Sequence, residues 1–311
     1  MLLSCGDALI DFVPTRTVDG REGVMPAVGG SCLNVAIGMA RLGVPTGFVG
    51  GVSTDMFGQM IAAHAGASDV DLRYATRSDH QTTLAFVRIV AGESHYAFYD
   101  AETATRNWTY RRGSIPFETI EAVHVGSTTL VNDMGAAETL ALIVDARASS
   151  TISFDPNCRP NLVKDKPAYV ARMAAFAAHA DIVRMSDVDF TYLYGDEPYP
   201  QRANVLLGQG VSLVVITRGN NGAVAWHEAA GQIEVQAPSV KVADTIGAGD
   251  SFQAALLFAL HKQGRLGRKL LRDISADELR RALSFAANCA GLTCTRPGAD
   301  PPWSHEISWS W

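Results

Sequence analysis

The segment DTIGAGD (residues 244–250) places two carboxylates and two glycines directly before an apolar run at residues 253–260. Gly247 and Gly249 allow the backbone to turn its N–H groups toward one point, and a helix starting here would add the positive end of its dipole. An anion would be stabilised there. A carboxylate at Asp250 opposes anion binding unless it takes a proton from a nucleophile that attacks the anion. The spacing therefore favours a catalytic base at Asp250, with a first-turn acid that complements the helix dipole as the alternative.

Two other glycine-rich phosphate-binding motifs are excluded by inspection. The P-loop requires a Gly-Lys pair, and the chain contains none. The dinucleotide fingerprint G-x-G-x-x-G would need a third glycine where Phe252 stands, and it would open the first βαβ unit instead of lying near the end of the chain.

A second glycine cluster lies at residues 29–43, GGSCLNVAIGMARLG. Gly30 can bring the backbone close to a ligand, Ser31 can cap a helix, and Asn34 would project from the first turn of a helix that ends near Gly43. Taken alone, the cluster also fits an ordinary turn before a helix.

The elements that position these segments alternate along the chain. Short apolar runs predict strands, and Ala/Leu-rich stretches with helical spacing follow most of them. The predicted strands lie at 2–5, 47–49, 122–125, 151–154, 181–184 and 213–217, and the predicted helices at 34–42, 56–65, 136–148 and 168–178. This alternation predicts a mostly parallel sheet covered on both faces, a three-layer α/β/α fold.

Two segments, at about 12–28 and 74–108, break this rhythm. Residues 82–90 and 95–99 alternate in polarity around the sequence AGES, which predicts a β-hairpin. We expect both segments to form a small lid sheet within a single domain of residues 1–311; an edge extension of the main sheet fits the pattern equally well.

Composition narrows the class of protein. The 311 residues include 26 Lys and Arg against 32 Asp and Glu, a net charge of −6, and they contain no basic block, so nucleic acid is not an expected partner. No apolar run reaches the roughly 20 residues that span a bilayer. The five cysteines lack C-x-x-C spacing, which is typical of reduced thiols and predicts a cytoplasmic protein.

Together, GGSCLNVA (29–36) and DTIGAGD (244–250) resemble the paired signatures of the ribokinase-like (PfkB) carbohydrate kinases. Further stretches resemble the bacterial fructokinase branch, among them GDALIDF (6–12), YAFYDAETATR (96–106) and SFDPNCRPNL (153–162). The resemblance extends over essentially the whole chain. It implies a ribokinase-like fold and transfer of the γ-phosphoryl group of ATP to a hydroxymethyl group of a small sugar.

The resemblance also implies roles for individual residues. Asp250 matches the base, and the amides leading to Gly249 match the anion hole. The implied groups are catalytic Asp250, Gly247, Ala248 and Gly249; sugar-binding Asp11, Gly30, Asn34, Phe98, Arg159 and Asp250; and nucleotide-binding Thr217, Gly219, Gly222, Gly249 and Asn288. Alternatives remain open for three of them: a turn residue at Asp11, lid packing at Phe98 and a structural salt bridge at Arg159.

Metal sites follow from the resemblance as well. Asp189 matches an acidic residue that orders Mg²⁺ through water, although the usual Asn-x-x-Glu is Ser186-Asp-Val-Asp189 here, which puts direct metal contact in doubt. The resemblance also implies a monovalent cation such as K⁺ beside the DTIGAGD segment, held largely by carbonyl oxygens near Asp244 and in residues 290–298.

The substrate is expected to be a neutral ketohexose, fructose first. Kinases of this branch that act on 2-keto-3-deoxygluconate typically carry Tyr-x-Arg in the hairpin, whereas Tyr99 is followed here by Asp100, which would repel an acid if it faced the pocket. Ribokinase or 2-keto-3-deoxygluconate kinase activity, a catalytically inactive sugar-binding protein on the same fold, and a nicotinamide-dependent dehydrogenase are the alternatives. Lid closure over the sugar and a homodimer formed through the lid are implied by the resemblance.

Overall fold

The computed structural model describes residues 1–90, 93–267 and 270–308. Its strands are β1 (Leu2–Cys5), β2 (Leu9–Arg16), β3 (Glu22–Gly29), β4 (Thr46–Val49), β5 (Gly51–Ser53), β6 (Val70–Asp71), β7 (Thr76–Ser78), β8 (Thr83–Val90), β9 (Glu93–Tyr99), β10 (Ala122–Gly126), β11 (Thr151–Asp155), β12 (Ile182–Ser186), β13 (Leu213–Thr217), β14 (Ala223–His227) and β15 (Gly231–Val235). Its α-helices are α1 (Ser31–Arg41), α2 (Met56–Ala67), α3 (Asp133–Ala146), α4 (Lys166–Ala177), α5 (Asp187–Tyr194), α6 (Tyr199–Gly208), α7 (Ala248–Lys262) and α8 (Ala276–Cys294).

The described part of the main sheet has nine strands in the order β15-β14-β13-β12-β11-β10-β1-β4-β6. The seven strands from β13 to β6 are parallel, and β14 and β15 add an antiparallel edge. Each predicted apolar run became one of the parallel strands. Parallel strands buried on both faces are apolar at consecutive positions, which is why these runs are visible in the sequence.

Helices cover both faces of this sheet. Alternate residues of one strand point to opposite faces: Leu2 belongs to the buried apolar cluster that includes α1, α7 and α8, and Leu3 to the cluster that includes α3, α4, α5 and α6. The predicted three-layer α/β/α architecture is therefore confirmed. Among the described residues, no helix combines the length and the apolar character that crossing a membrane requires.

A second sheet contains β3, β2, β8 and β9 in that order. Strands β2 and β3 pair antiparallel, as do β8 and β9, and a parallel pairing of β2 with β8 joins the two hairpins. The two segments that do not follow the strand–helix alternation, at about 12–28 and 74–108, thus form a separate sheet and do not extend the main sheet. Positions 91 and 92, at the turn of the predicted hairpin, lie outside the described residues.

Candidate active site

A cleft of about 870 Å³ lies between the carboxyl ends of the main-sheet strands and the second sheet. In open parallel sheets this is the edge at which ligands bind. Asp7 follows β1, Thr217 ends β13, and Phe98 reaches the cleft from β9. The N-termini of α1 and α7 complete the lining with Gly30, Ser31, Asn34, Gly247, Gly249 and Asp250.

Asp250, in the first turn of α7, is the point at which the two glycine-rich signatures meet. Its Oδ1 accepts a hydrogen bond from Ser31 Oγ at 2.7 Å, and its Oδ2 accepts one from Asn34 Nδ2 at 2.9 Å. Burial raises the pKa of Asp250, while these two hydrogen bonds and the charge of Arg159 oppose that rise. The carboxylate is thus fixed in orientation at the helix start.

Glycine is required at the start of both helices for steric reasons. Gly30, the residue before α1, has φ +105°, and a Cβ there would lie 2.6 Å from the carbonyl oxygen of Asp7. Gly247, the residue before α7, has φ +73°, and its Cβ would lie 2.6 Å from Cβ of Ala299. At the start of α7, Gly247 and Gly249 line the cleft, whereas Ala248 does not, and its N–H donates to the carbonyl oxygen of Thr245 at 3.3 Å.

Three expected sugar-binding side chains, Asp11, Phe98 and Arg159, line the same cleft. The pKa of Asp11 is raised to about 7, chiefly by burial and by the nearby Asp7 carboxylate, with Arg159 acting in the opposite direction and Asp250 adding a smaller rise. Among the described residues Arg159 forms no ion pair, and its hydrogen bonds all go through Nη1, to oxygens of Asn157 and Cys158. Nη2 and Nε remain for a ligand.

The expected nucleotide-binding residues fall into two groups. Thr217 and Gly219 line the cleft, whereas Gly222 and Asn288 are absent from its lining. Gly222 has a separate structural need, because a Cβ there would lie 2.0 Å from the carbonyl oxygen of Val235. Asn288 is exposed on α8.

The two expected metal ligands carry out structural tasks with their carboxylates. Asp189 Oδ1 accepts the N–H of Cys158 at 2.8 Å, and its Oδ2 accepts Ser186 Oγ at 2.7 Å in a capping box at the start of α5. Asp244 accepts the N–H groups of residues 245, 246 and 298, so its carboxylate orders the loop before α7. Groups of three or more His, Cys, Asp or Glu arranged for a metal are not found among the described residues.

Sequence reasoning missed Arg184, which is 5% exposed in the floor of the cleft. Its Nη1 donates to Asp155 Oδ2 at 2.5 Å and its Nη2 to Thr217 Oγ1 at 2.6 Å. Because the guanidinium occupies one acceptor site of the Thr217 hydroxyl, that hydroxyl is free to donate its own proton to a ligand. Tyr96 was also missed, although it shares a face of β9 with Phe98, and the two rings stack with centroids 5.9 Å apart.

The expected contribution of Asp100 to sugar choice is wrong. Asp100 does not line this cleft; it lines a second one, of about 640 Å³, and accepts a hydrogen bond from Arg106 Nε at 2.8 Å. The chain turns after β9, so the residue that follows Tyr99 does not continue the row of Tyr96 and Phe98 that lines the cleft. Repulsion of an acidic substrate by Asp100 is therefore not part of the site.

Comparison with known proteins matches residues 1–306 to the pfkB family carbohydrate kinase model. A fructokinase of Rhizobium leguminosarum bv. trifolii is 37% identical over 281 residues, which cover 90% of this chain and 86% of that protein. The crystal structure of a Xylella fastidiosa fructokinase with bound ATP has a TM-score of 0.88 at 27% identity and covers 96% of this chain and 93% of its own. A Vibrio cholerae O395 fructokinase, solved with fructose, ADP and calcium ion, has a TM-score of 0.81 at 26% identity and covers 96% of this chain and 94% of its own. This chain belongs to the pfkB family of carbohydrate kinases.

Proposed function

We propose that this protein is an ATP-dependent fructokinase that phosphorylates a hydroxymethyl group of the sugar. The observation that carries the proposal is the contact of Asp250 with Ser31 and Asn34 at the glycine-rich start of α7. A half-buried carboxylate with a raised pKa beside an amide-lined anion site is suited to removing a proton from a nucleophile that attacks a phosphoryl group.

The chemistry divides between the carboxylate and the backbone. Asp250 accepts the proton of the attacking hydroxyl as the new O–P bond forms and the bond to the leaving ADP breaks. The amides of Gly247 and Gly249, with the positive end of the α7 dipole, stabilise the negative charge of the transferred phosphoryl group. Phosphoryl transfer depends mainly on such alignment and charge stabilisation.

The sugar lies between the second sheet and α1 in this proposal. Asp11 and Asn34 bind hydroxyl groups, Gly30 allows close approach of the backbone, and Phe98 covers an apolar face of the ring. The free nitrogens of Arg159 bind the sugar or the phosphate. A neutral ketohexose is preferred because Asp11 and Asp250 are acceptors suited to hydroxyl donors, and because the similar proteins are named fructokinases.

The nucleotide lies along Thr217, Gly219 and the start of α7, with Gly222 and Asn288 as neighbours of the base-binding region. Mg²⁺ would accompany ATP and would neutralise phosphate charge. The residues fit a water-mediated ion. Asp187 and Asp189 both line the cleft, both oxygens of Asp189 already accept hydrogen bonds, and Mg²⁺ commonly keeps several waters. The Asp244 carboxylate gives a K⁺ site no support, and dependence on K⁺ stays a prediction that assays in K⁺ and Na⁺ buffers test.

We further propose a cytoplasmic homodimer in which the second sheet acts as a lid. The face of that sheet away from the cleft carries an aromatic row: Phe12, which also lies edge-on to Phe57 of α2, stacks on Phe86 at 4.6 Å, and Tyr99 lies edge-on to Phe86 at 5.5 Å. Phe86 is 37% exposed and Tyr99 is 64% exposed, an apolar surface that a second copy would cover.

The test is ADP release with purified protein across fructose, ribose, 2-keto-3-deoxygluconate and adenosine, followed by NMR identification of the phosphorylated carbon. We expect fructose to give the highest kcat/KM. The Asp250→Asn variant should lose turnover by about 10²- to 10⁴-fold while retaining fructose binding. Absence of turnover with every sugar would contradict the proposal and favour the inactive binding protein.

A further inference from the structure

Asp250 is the last member of a row of hydrogen-bonded side chains that starts at a cation. Arg159 Nη1 lies 2.6 Å from Asn157 Oδ1, Asn157 Nδ2 lies 2.6 Å from Ser31 Oγ, and Ser31 Oγ lies 2.7 Å from Asp250 Oδ1. Three segments distant in sequence supply these groups: the loop after β11, the first turn of α1 and the first turn of α7.

The direction of every hydrogen bond in this row is fixed by chemistry. A guanidinium can only donate, so the amide atom of Asn157 that faces Arg159 must be its oxygen. The Asn157 NH₂ group then faces Ser31 and donates to its hydroxyl oxygen. Ser31 is left to donate its own proton to Asp250.

We propose that Ser31, Asn157 and Arg159 form a donor relay that positions the Asp250 carboxylate and keeps it ionised. The relay rests on the proposed function of Asp250 as the base. Ser31 and Asn157 act through Asp250 and are positioning residues. Each donor polarises the next, so the positive charge of Arg159 strengthens the hydrogen bond from Ser31 to the carboxylate.

The backbone of the loop supports this role. Asn157 has φ +38°, a left-handed conformation that is uncommon for residues other than glycine and is most tolerated by Asn and Asp. Its N–H donates to Asp155 Oδ1 at 2.9 Å, and Asp155 is itself held by Arg184. The backbone of Asn157 is thus held by Asp155 while its side-chain amide faces Ser31. Backbone strain of this kind concentrates at functional positions.

Several charged or titratable groups act on Asp250 besides the relay. They are Arg184, Asp11, Asp155, Cys32 and Tyr96. Burial raises the pKa of Asp250, and the Ser31 hydrogen bond is the foremost of the contacts that lower it. Removal of the relay leaves these other groups in place, so its effect on the pKa can be measured separately.

Two variants interrupt the relay at different points. Ser31→Ala deletes the donor to Asp250. Asn157→Gly deletes the amide and retains a residue that adopts positive φ readily, so the loop backbone can be preserved. Ser149→Ala, at an exposed position, is the matched control, and circular dichroism checks the fold of all variants.

The experiment titrates Asp250 by carbon-13 NMR of side-chain-labelled aspartate, assigned by the signal lost in Asp250→Asn, and measures kcat/KM for fructose against pH. We expect both variants to raise the pKa of Asp250 by about one unit and to move the acidic limb of kcat/KM by the same amount. At pH 7 kcat should fall about tenfold with the fructose KM within about threefold.

An unchanged pKa of Asp250 in both folded variants would overturn the relay. A fall in kcat/KM that comes only from a higher fructose KM, with kcat unchanged, would overturn it as well. If the wild type phosphorylates no sugar while the pKa of Asp250 still rises in the variants, the relay holds and the kinase proposal fails. Should one variant not fold, the other gives the same two readouts.

Discussion

Gly38 in α1 lies directly against Ala254 in α7: a Cβ built on Gly38 would come 2.6 Å from the Cβ of Ala254. This close contact brings the axes of the two helices together one or two turns after their starts. Asn34 lies one turn before Gly38, and Asp250 lies one turn before Ala254. The contact therefore sets the distance between the proposed sugar-binding amide and the proposed base.

Replacing Gly38 with Ala should separate α1 from α7. We expect the free energy of unfolding to fall by about 1–3 kcal/mol through overpacking. We also expect kcat to fall, by up to about 10²-fold, because a displacement of about 1 Å disturbs the alignment of reacting groups. Chemical denaturation and fructose turnover measure the two effects.

The double variant Gly38→Ala/Ala254→Gly is the matched control, because it exchanges the two small residues across the contact. It should recover at least about 1 kcal/mol relative to the sum of the single changes, together with part of the lost kcat. Additive losses would show that the contact does not position the site.

The raised pKa of Asp11 predicts that fructose affinity depends on pH. Hydroxyl donors favour the carboxylate form, so sugar binding lowers the pKa of Asp11, which is about 7 in the free protein, and releases a proton. Fructose affinity should rise about tenfold from pH 6 to pH 8, as the ionised fraction grows. Calorimetry in buffers of different ionisation enthalpy measures the proton, and Asp11→Asn should abolish the pH dependence while binding more weakly.

Ionisation of Asp11 should favour fructose binding but lower the free energy of unfolding. Its pKa in the folded state lies above the ordinary value of 3.8, so the folded protein holds a proton that the unfolded chain releases. The stabilisation of the folded state that comes from the Asp11 proton is therefore fully present below about pH 4 and is lost as the pH rises through about 7. Asp11→Asn should flatten this part of the stability curve; an unchanged curve would contradict the assignment.

The sequence was sufficient for the parts of the fold that local patterns determine. Buried parallel strands are runs of apolar residues, and the glycines before α1 and α7 mark sites of close backbone approach. The position of Arg184 in the cleft was not predicted, because a charged residue after an apolar run was interpreted as the end of the strand predicted at 181–184. Strand β12 continues to Ser186, and the Arg184 guanidinium is satisfied by Asp155 and Thr217, which are distant in sequence. Asp100 was misplaced because the turn after β9 decides which cleft it lines, and no local pattern encodes that turn.

The position of Asp100 predicts that its charge does not select the substrate. Asp100→Asn should leave the ratio of kcat/KM for fructose and 2-keto-3-deoxygluconate within about threefold of the wild type. The free energy of unfolding should fall by about 1–2 kcal/mol through the weakened contact with Arg106. Asp196→Asn, at an exposed position, is the control. A gain of tenfold or more with the acid would restore the repulsion argument.

The proposed dimer can be tested at Tyr99. We expect the wild type to have about twice the chain mass of 33.2 kDa by light scattering after size exclusion. Tyr99→Arg should give monomers, because it places a charge within the aromatic row that the partner would cover. Val205→Arg, on an exposed part of α6, should remain dimeric. A monomeric wild type, or a dimeric Tyr99→Arg, would contradict an interface at this face.

Gly249, in the proposed anion-binding loop, lies directly against Arg184. A Cβ at this position would lie 3.0 Å from both terminal guanidinium nitrogens, a distance that requires one of the two to move. Arg184 cannot move cheaply, because it is buried and bound to both Asp155 and Thr217. Gly249→Ala should therefore displace the amides at the start of α7 and lower kcat by about 10²-fold.

Gly208→Ala separates this effect from a general response to alanine in a helix. Gly208 is exposed at the end of α6, and a Cβ there meets no atom within 4 Å, so the change should leave kcat unaltered and stabilise the helix by up to about 1 kcal/mol. Because Arg184 also binds Thr217, Gly249→Ala should raise the KM for ATP more than the KM for fructose. Equal increases in the KM for ATP and the KM for fructose would mean that Arg184 supports the whole cleft and not only its phosphate-binding side.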